Sequence, residues 1–254
     1  DPNQLSRQEM RTMVCAQCHV EYHFADDNKK VTYPWKYGLT ANDAEKFYDE
    51  INFKDWNHGE TGAPMLKAQH PDYELFSTGV HAANGVACAD CHMPYVKQGT
   101  SKISSHHLQS PLNTIAESCQ TCHRQSEEYL KNQVINIQDK VFATRQVLEQ
   151  ALADAMDAIV AADKNPNAKA DAMSKAREYH RKAQWRWDYI AAENSMGFHS
   201  PNEALRVLSE GIDYARLAQL QANLAIGAAA GGAANPDAGQ TPGPGTATEA
   251  AKGT

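Results

Sequence analysis

The chain has 254 residues, a formal net charge of −7, 8% aromatic and 22% charged residues. That acidic balance gives no electrostatic reason to expect nucleic-acid binding, which needs a clustered basic surface, and no run approaches the roughly eighteen apolar residues that suggest a membrane span. The N-terminal Asp1-Pro2-Asn3-Gln4 does not read as a signal peptide, so either a signal has been removed or the chain is a piece of something longer.

In chain order, Ser6-Arg7-Gln8-Glu9 reads as a capping box, with Leu5 and Met10 placed as a hydrophobic staple. It predicts a first helix over 7–18 that carries Cys15, Cys18 and His19 on its last turn. The remainder of 1–125 is histidine-rich, with short apolar runs, many turn signals and only weak strand alternation. From 126 the pattern changes. Val134, Ile137, Val141, Leu148, Leu152 and Ile159 recur at helical steps on one long amphipathic helix. That stripe serves either packing within the chain or pairing with a second copy in a dimer. Asn165-Pro166-Asn167 breaks the helix, and a second follows over 168–193 with Tyr179, Ala183, Arg186 and Ile190 on one stripe. Asn194 to Pro201 reads as a loop, and Asn202 as the cap of a third helix running to Leu224. Residues 227–254 are Ala, Gly, Pro and Thr with almost no large apolar side chain, which predicts a disordered tail. The chain therefore divides into 1–125, 126–226 and 227–254.

The six cysteines fall as Cys15-Ala-Gln-Cys18-His19, Cys88-Ala-Asp-Cys91-His92 and Cys119-Gln-Thr-Cys122-His123. Three disulfides, redox dithiols or zinc sites are the alternatives, but none needs histidine directly after the second cysteine. C-x-x-C-H is the haem c attachment signature: two thioethers to one macrocycle, and a histidine placed beneath it as an axial ligand. Covalent haem attachment suggests an extracytoplasmic, periplasmic setting. A haem stack would then take the place of a conventional core in the first region. The fold class that follows is mostly α, a multihaem c-type cytochrome with a haem-wrapped helical and loop domain followed by long C-terminal helices.

With His19, His92 and His123 as proximal ligands, eight histidines remain: His23, His58, His70, His81, His106, His107, His180 and His199. The surplus points to bis-histidine haems, which serve electron transfer because iron has no open position. His81, one of His106 and His107, and His199 follow short segments able to fix a ring, whereas His58 and His180 carry no such context.

Several segments carry a resemblance. Cys15 to Tyr22, Lys67-Ala68-Gln69-His70-Pro71-Asp72-Tyr73-Glu74, Gly79-Val80-His81, Cys91-His92-Met93-Pro94, Ser105-His106 and Met196-Gly197-Phe198-His199 closely resemble the ammonia-forming pentahaem cytochrome c nitrite reductase family, in order, over residues 1 to 226. The resemblance implies that the three motifs are that family's third, fourth and fifth haems. His81 would be the distal ligand of the haem at Cys119/Cys122 and His199 that of the haem at Cys88/Cys91. His106, five residues before Pro111, would reach a haem whose motif is not in this chain, with His107 the weaker choice. Tyr22 and His70 match the active-site tyrosine and histidine. Glu21, the carbonyls of Tyr22 and Lys67, and the Gln69 side-chain carbonyl match a calcium site of hard oxygen ligands.

The family's partners would be nitrite, a second copy in a homodimer, and a membrane-anchored multihaem quinol dehydrogenase or soluble electron donor. Five haems make up the complete family enzyme, and three fall in this chain. The family's catalytic C-x-x-C-K motif does not occur in these 254 residues, so a fragment lacking its N-terminal half is the expectation. A non-catalytic multihaem electron-transfer cytochrome is the alternative, and a multihaem oxidoreductase acting on hydroxylamine or tetrathionate is a third.

Overall fold

Capping chemistry written in the sequence starts the first helix. Ser6 Oγ accepts the Glu9 N–H at 3.2 Å, and the Ser6 N–H donates to Glu9 Oε2 at 2.7 Å, opening α1 (Arg7–Met13). The helix stops well short of residue 18. The Cys15 N–H turns back to the Thr12 carbonyl at 3.0 Å, an i→i−3 bond that tightens the backbone out of the α ladder. The first C-x-x-C-H therefore lies in turns beyond the helix rather than on its last turn. The structure, a computed structural model, describes residues 2–25 and 28–227. The tail expected over 227–254 lies, Gly227 aside, outside the described residues.

Three antiparallel hairpins follow among the described residues: β1 (His23–Ala25) with β2 (Lys30–Thr32), β3 (Trp56–Asn57) with β4 (Pro64–Met65), and β5 (Tyr95–Gln98) with β6 (Ser101–Ser104). Strands of two to four residues are too short to show the alternation that betrays a strand in sequence. Short helices sit between them: α2 (Ala41–Glu50), capped by Thr40, then α3 (Asp72–Ser77), α4 (Val80–Ala83), α5 (Cys88–His92) and α6 (Ile115–Ser118). Neither α1 nor α4 buries a single residue.

The conventional core lies in the C-terminal helices α7 (Glu127–Asp163), α8 (Ala170–Ala192) and α9 (Pro201–Ala225). Val141, Leu148 and Leu152 of α7 pack with Ala183, Trp185 and Ile190 of α8 and with Ala204, Val207 and Leu208 of α9. Farther along, Ile159, Ala162, Met173 and Ala222 form a second cluster. The stripe that could have served a dimer is thus internal, and Leu148 and Ile159 are fully buried within one chain. Its first two members, Val134 and Ile137, stay half-buried. The third helix also starts one residue before Asn202. Pro201 occupies its first turn, where its missing N–H costs nothing, and no side-chain cap is made. No helix among the described residues is long and apolar enough to cross a membrane.

Helix α8 is the frame on which the first region hangs. Its Trp185 Nε1 donates to the Ala41 carbonyl at 2.9 Å, and Arg186, fully buried, reaches Glu45 at 3.1 Å and Glu210 at 3.1 Å. Arg181 donates to Asp49 and to the carbonyls of Phe53 and Pro64. Asp188 accepts the Ala68 N–H at 2.8 Å and the Lys67 ammonium at 2.9 Å. These bonds hold α2 and the strand leading to His70 in fixed register with the helices.

Candidate functional site

Each C-x-x-C-H closes into one helical turn, so that its thiols and imidazole come to one side of the chain. The His19 N–H returns to the Cys15 carbonyl at 3.0 Å and the His123 N–H to the Cys119 carbonyl at 2.9 Å, while the second motif is α5 itself. The motifs pack against one another. Arg11 pairs with Asp90 at 2.7 Å and the Cys88 N–H donates to Thr12 Oγ1 at 3.4 Å, joining the first motif to the second. No two of the six cysteines are joined in a disulfide, which leaves each pair open to thioether attachment.

Four of the candidate imidazoles, His19, His92, His106 and His199, have a polar partner at Nδ1 and leave Nε2 over, as axial ligands do. His19 Nδ1 lies 2.9 Å from Asp72 Oδ2, yet its side chain is 60% exposed. His92 Nδ1 meets the Gln109 carbonyl at 3.1 Å and His106 Nδ1 the Ser104 carbonyl at 3.0 Å. His199 Nδ1 sits 2.5 Å from Glu193 Oε1, a close ion pair off the line of a well-aligned hydrogen bond. The His81 and His123 ring centres are 6.3 Å apart at 83°. Two imidazoles sharing one metal ion through bonds of about 2 Å have ring centres roughly that far apart. Exposed apolar side chains stand next in sequence to candidate haem-holding residues, Val14 before Cys15 and Val80 before His81. Such surface is what a macrocycle covers, and on ring spacing, free Nε2 atoms and apolar rim the residues fit haem.

Two chain segments are laced together next to His19. The Tyr73 N–H donates to the His19 carbonyl at 3.0 Å, the Glu21 N–H to Glu74 Oε1 at 3.0 Å and the Gln69 N–H to Glu21 Oε2 at 2.7 Å. This pairing brings Glu21, Tyr22, Gln69 and His70 to one place, with Tyr22 half-buried and His70 exposed. Glu21 is fully buried, and the Tyr48 hydroxyl also donates to it at 2.8 Å. Burial pushes its carboxyl up to about 8, the bonds from Gln69 and Tyr48 opposing and the Glu74 and Asp55 charges adding. Glu74 rises to about 7 for the same leading reason, and its Oε2 is buried with no partner among the described residues. Lys67 cannot neutralise either, because its ammonium is turned to Asp188 and the Ala68 carbonyl. Buried carboxylates without a basic neighbour, beside an amide side chain, fit a hard dication such as calcium.

Sequence reasoning missed Asp72, Glu74, Tyr48 and Glu193. Asp72 and Glu74 stand inside the segment that carried the resemblance, and an acidic residue two places after His70 was the available signal. Tyr48 and Glu193 come from distant elements and left none. His58 and His180, assigned no role, meet each other with ring centres 5.2 Å apart, and His180 Nδ1 lies 3.2 Å from Thr61 Oγ1.

The Cytochrome c552 family model matches residues 1–253. The cytochrome c-552 of Porphyromonas gingivalis is 47% identical over 222 residues, covering 87% of this chain and 44% of that protein. The cytochrome c-552 of Bacteroides thetaiotaomicron is 49% identical over 227 residues, 89% of this chain and 45% of that one. Among solved structures, the catalytic subunit (NrfA) of cytochrome c nitrite reductase from Desulfovibrio desulfuricans, described with two calcium sites, superposes with a TM-score of 0.84. Its identity is 38%, over 89% of this chain and 51% of that chain. The chain thus spans about half the length of the relatives it matches. With the fold shared and the family match running nearly end to end, this chain belongs to the cytochrome c552 family.

Proposed function

We propose that this chain is the electron-feeding part of a periplasmic, ammonia-forming cytochrome c nitrite reductase, carrying three covalent haems and two residues of the nitrite pocket. The observation that supports it best is the lacing of 19–22 to 69–74, which gathers Tyr22, His70, Glu21 and Gln69 beside the His19 motif. A pure electron carrier has no use for that cluster. Haem iron supplies one-electron chemistry when bound. His19, His92 and His123 serve as proximal ligands, His81 and His199 as distal ligands within the chain, and His106 as a ligand to a haem attached elsewhere.

Reduction of nitrite to ammonium takes up six electrons and eight protons. His70 donates a hydrogen bond to a substrate oxygen and relays protons from solvent, which its exposure permits. Tyr22 is the second donor. Calcium held by Glu21, the Tyr22 and Lys67 carbonyls and the Gln69 side chain fixes both backbones and favours an anionic substrate. The C-x-x-C-K haem would come from sequence outside these residues, a second copy would complete a homodimer, and a membrane-anchored quinol dehydrogenase or soluble cytochrome would deliver electrons.

The test is His70→Ala in the complete, haem-loaded enzyme. Nitrite turnover should fall by about 10²–10⁴, the loss usual for one positioned acid–base group, with every haem bound and reducible. Full turnover in that variant would overturn the pocket assignment in favour of a non-catalytic electron-transfer cytochrome. The absence of C-x-x-C-K from these residues is what favours that second reading.

A further inference from the structure

The axial imidazoles differ in what stands behind them. His92 and His106 donate to backbone carbonyls. His81 and His123 make no side-chain hydrogen bond among the described residues, and their rings face each other with centres 6.3 Å apart. His19 and His199 face carboxylates instead. Asp72, 6% exposed, accepts from His19 Nδ1 at 2.9 Å and from both the backbone and the side chain of Asn194 at 2.8 and 2.9 Å. Glu193, 2% exposed, accepts from the Ser195 and Gly197 N–H groups at 2.9 and 3.1 Å and lies 2.5 Å from His199 Nδ1. Glu193 and Asn194 are consecutive at the end of α8, and the nearest ligand atoms of Asp72, Glu193 and His199 lie within 4.8 Å of one another.

We infer that Asp72 and Glu193 are redox-positioning residues: one buried carboxylate behind His19 and one behind His199 set the haems at Cys15/Cys18 and Cys88/Cys91 below the haem at Cys119/Cys122 in potential. The inference rests on the ligand assignments proposed above. An imidazole whose Nδ1–H is held by an anion is a stronger donor through Nε2. It therefore stabilises ferric over ferrous iron in the one-electron couple. Both carboxylates are shielded from water, so their charges are weakly screened. Because one two-residue segment holds both carboxylates, the ligands of two different haems share a single polar cluster, and the third haem lies outside it.

The experiment is a spectropotentiometric titration of the haem-loaded protein, followed by electron paramagnetic resonance. Asp72→Asn and Glu193→Gln should each raise one low-spin midpoint by about tenfold in the oxidised-to-reduced ratio, which is about 59 mV for a one-electron couple. The haem at Cys119/Cys122 should not move, and haem count and low-spin signals should persist. Asn194→Ala removes a donor from Asp72 while keeping its charge, leaving the anion freer for His19, and should shift the same midpoint downward. Opposite signs from Asp72→Asn and Asn194→Ala are the signature of tuning. Unmoved midpoints with low-spin haems, or shifts of one sign in both variants, would reduce the carboxylates to structural ties. Should Asp72→Asn lose its low-spin signal, the sign in Asn194→Ala decides alone. Failure of the ligand assignment is separately visible, because His199→Ala would then leave every haem low-spin.

Discussion

Leu148 is where the internal and the intermolecular readings of the long helix part. It is fully buried, and the point where a Cβ on Gly211 would stand is only 2.6 Å from Leu148 Cδ2 and 3.2 Å from Arg186 Cβ. Glycine at 211 is what lets α9 close onto α7. Truncation in Leu148→Ala removes side-chain atoms from a site whose floor is backbone and whose flank is the Arg186 ion-pair network, so the walls collapse little. The expected cost is about 3–5 kcal/mol. Gly211→Ala alone gains about 1 kcal/mol of helix propensity but forces a clash costing about 1–3 kcal/mol. In the Leu148→Ala background the clash with Leu148 disappears, leaving only the 3.2 Å approach to Arg186 Cβ, and the added methyl fills part of the cavity. The double variant should therefore be more stable than Leu148→Ala alone, with a favourable coupling of about 1–3 kcal/mol. Denaturant unfolding of the haem-loaded protein, followed by far-ultraviolet circular dichroism, measures the cycle, and sedimentation equilibrium measures the mass beside it. Additive effects, or a Leu148→Ala cost under about 1 kcal/mol accompanied by a drop in mass, would refute internal packing of this stripe.

Acid should weaken the fold through His180. Burial, then the neighbouring His58, pushes its pKa down to about 4. As pH falls from about 6.5 to about 4 the unfolded chain binds a proton that the folded chain refuses, and stability drops by up to about 3 kcal/mol. His180→Gln should flatten that part of the profile, and an unchanged slope would refute the assignment. Calcium should compete with a proton on Glu21, whose carboxyl burial raises to about 8. Affinity should then fall about tenfold per pH unit below that point and largely vanish in Glu21→Gln, as isothermal titration calorimetry would read; pH-independent binding would sink this site.

Covalent signatures and local periodicity were legible from sequence because they need only near neighbours. Three C-x-x-C-H motifs, the Ser6–Glu9 capping box and the three long amphipathic helices each follow from chemistry within a few residues. Only the tertiary structure decided what the long helix packs against, since a stripe such as Val141 and Leu148 is equally apolar whether its partner is α9 or another copy. It also decided which groups stand behind the ligands. Asp72 and His19 are separated by 53 positions, and the bond between His199 and Glu193 depends on how the end of α8 turns into the next loop. The hairpins stayed hidden because two to four residues carry no period, and Asn202 misled because a cap signal two residues late is overruled by a proline that fits the first turn. Motifs with short spacing are fixed by covalent geometry, whereas charges and imidazoles meet only where the packing of α8 brings distant segments together.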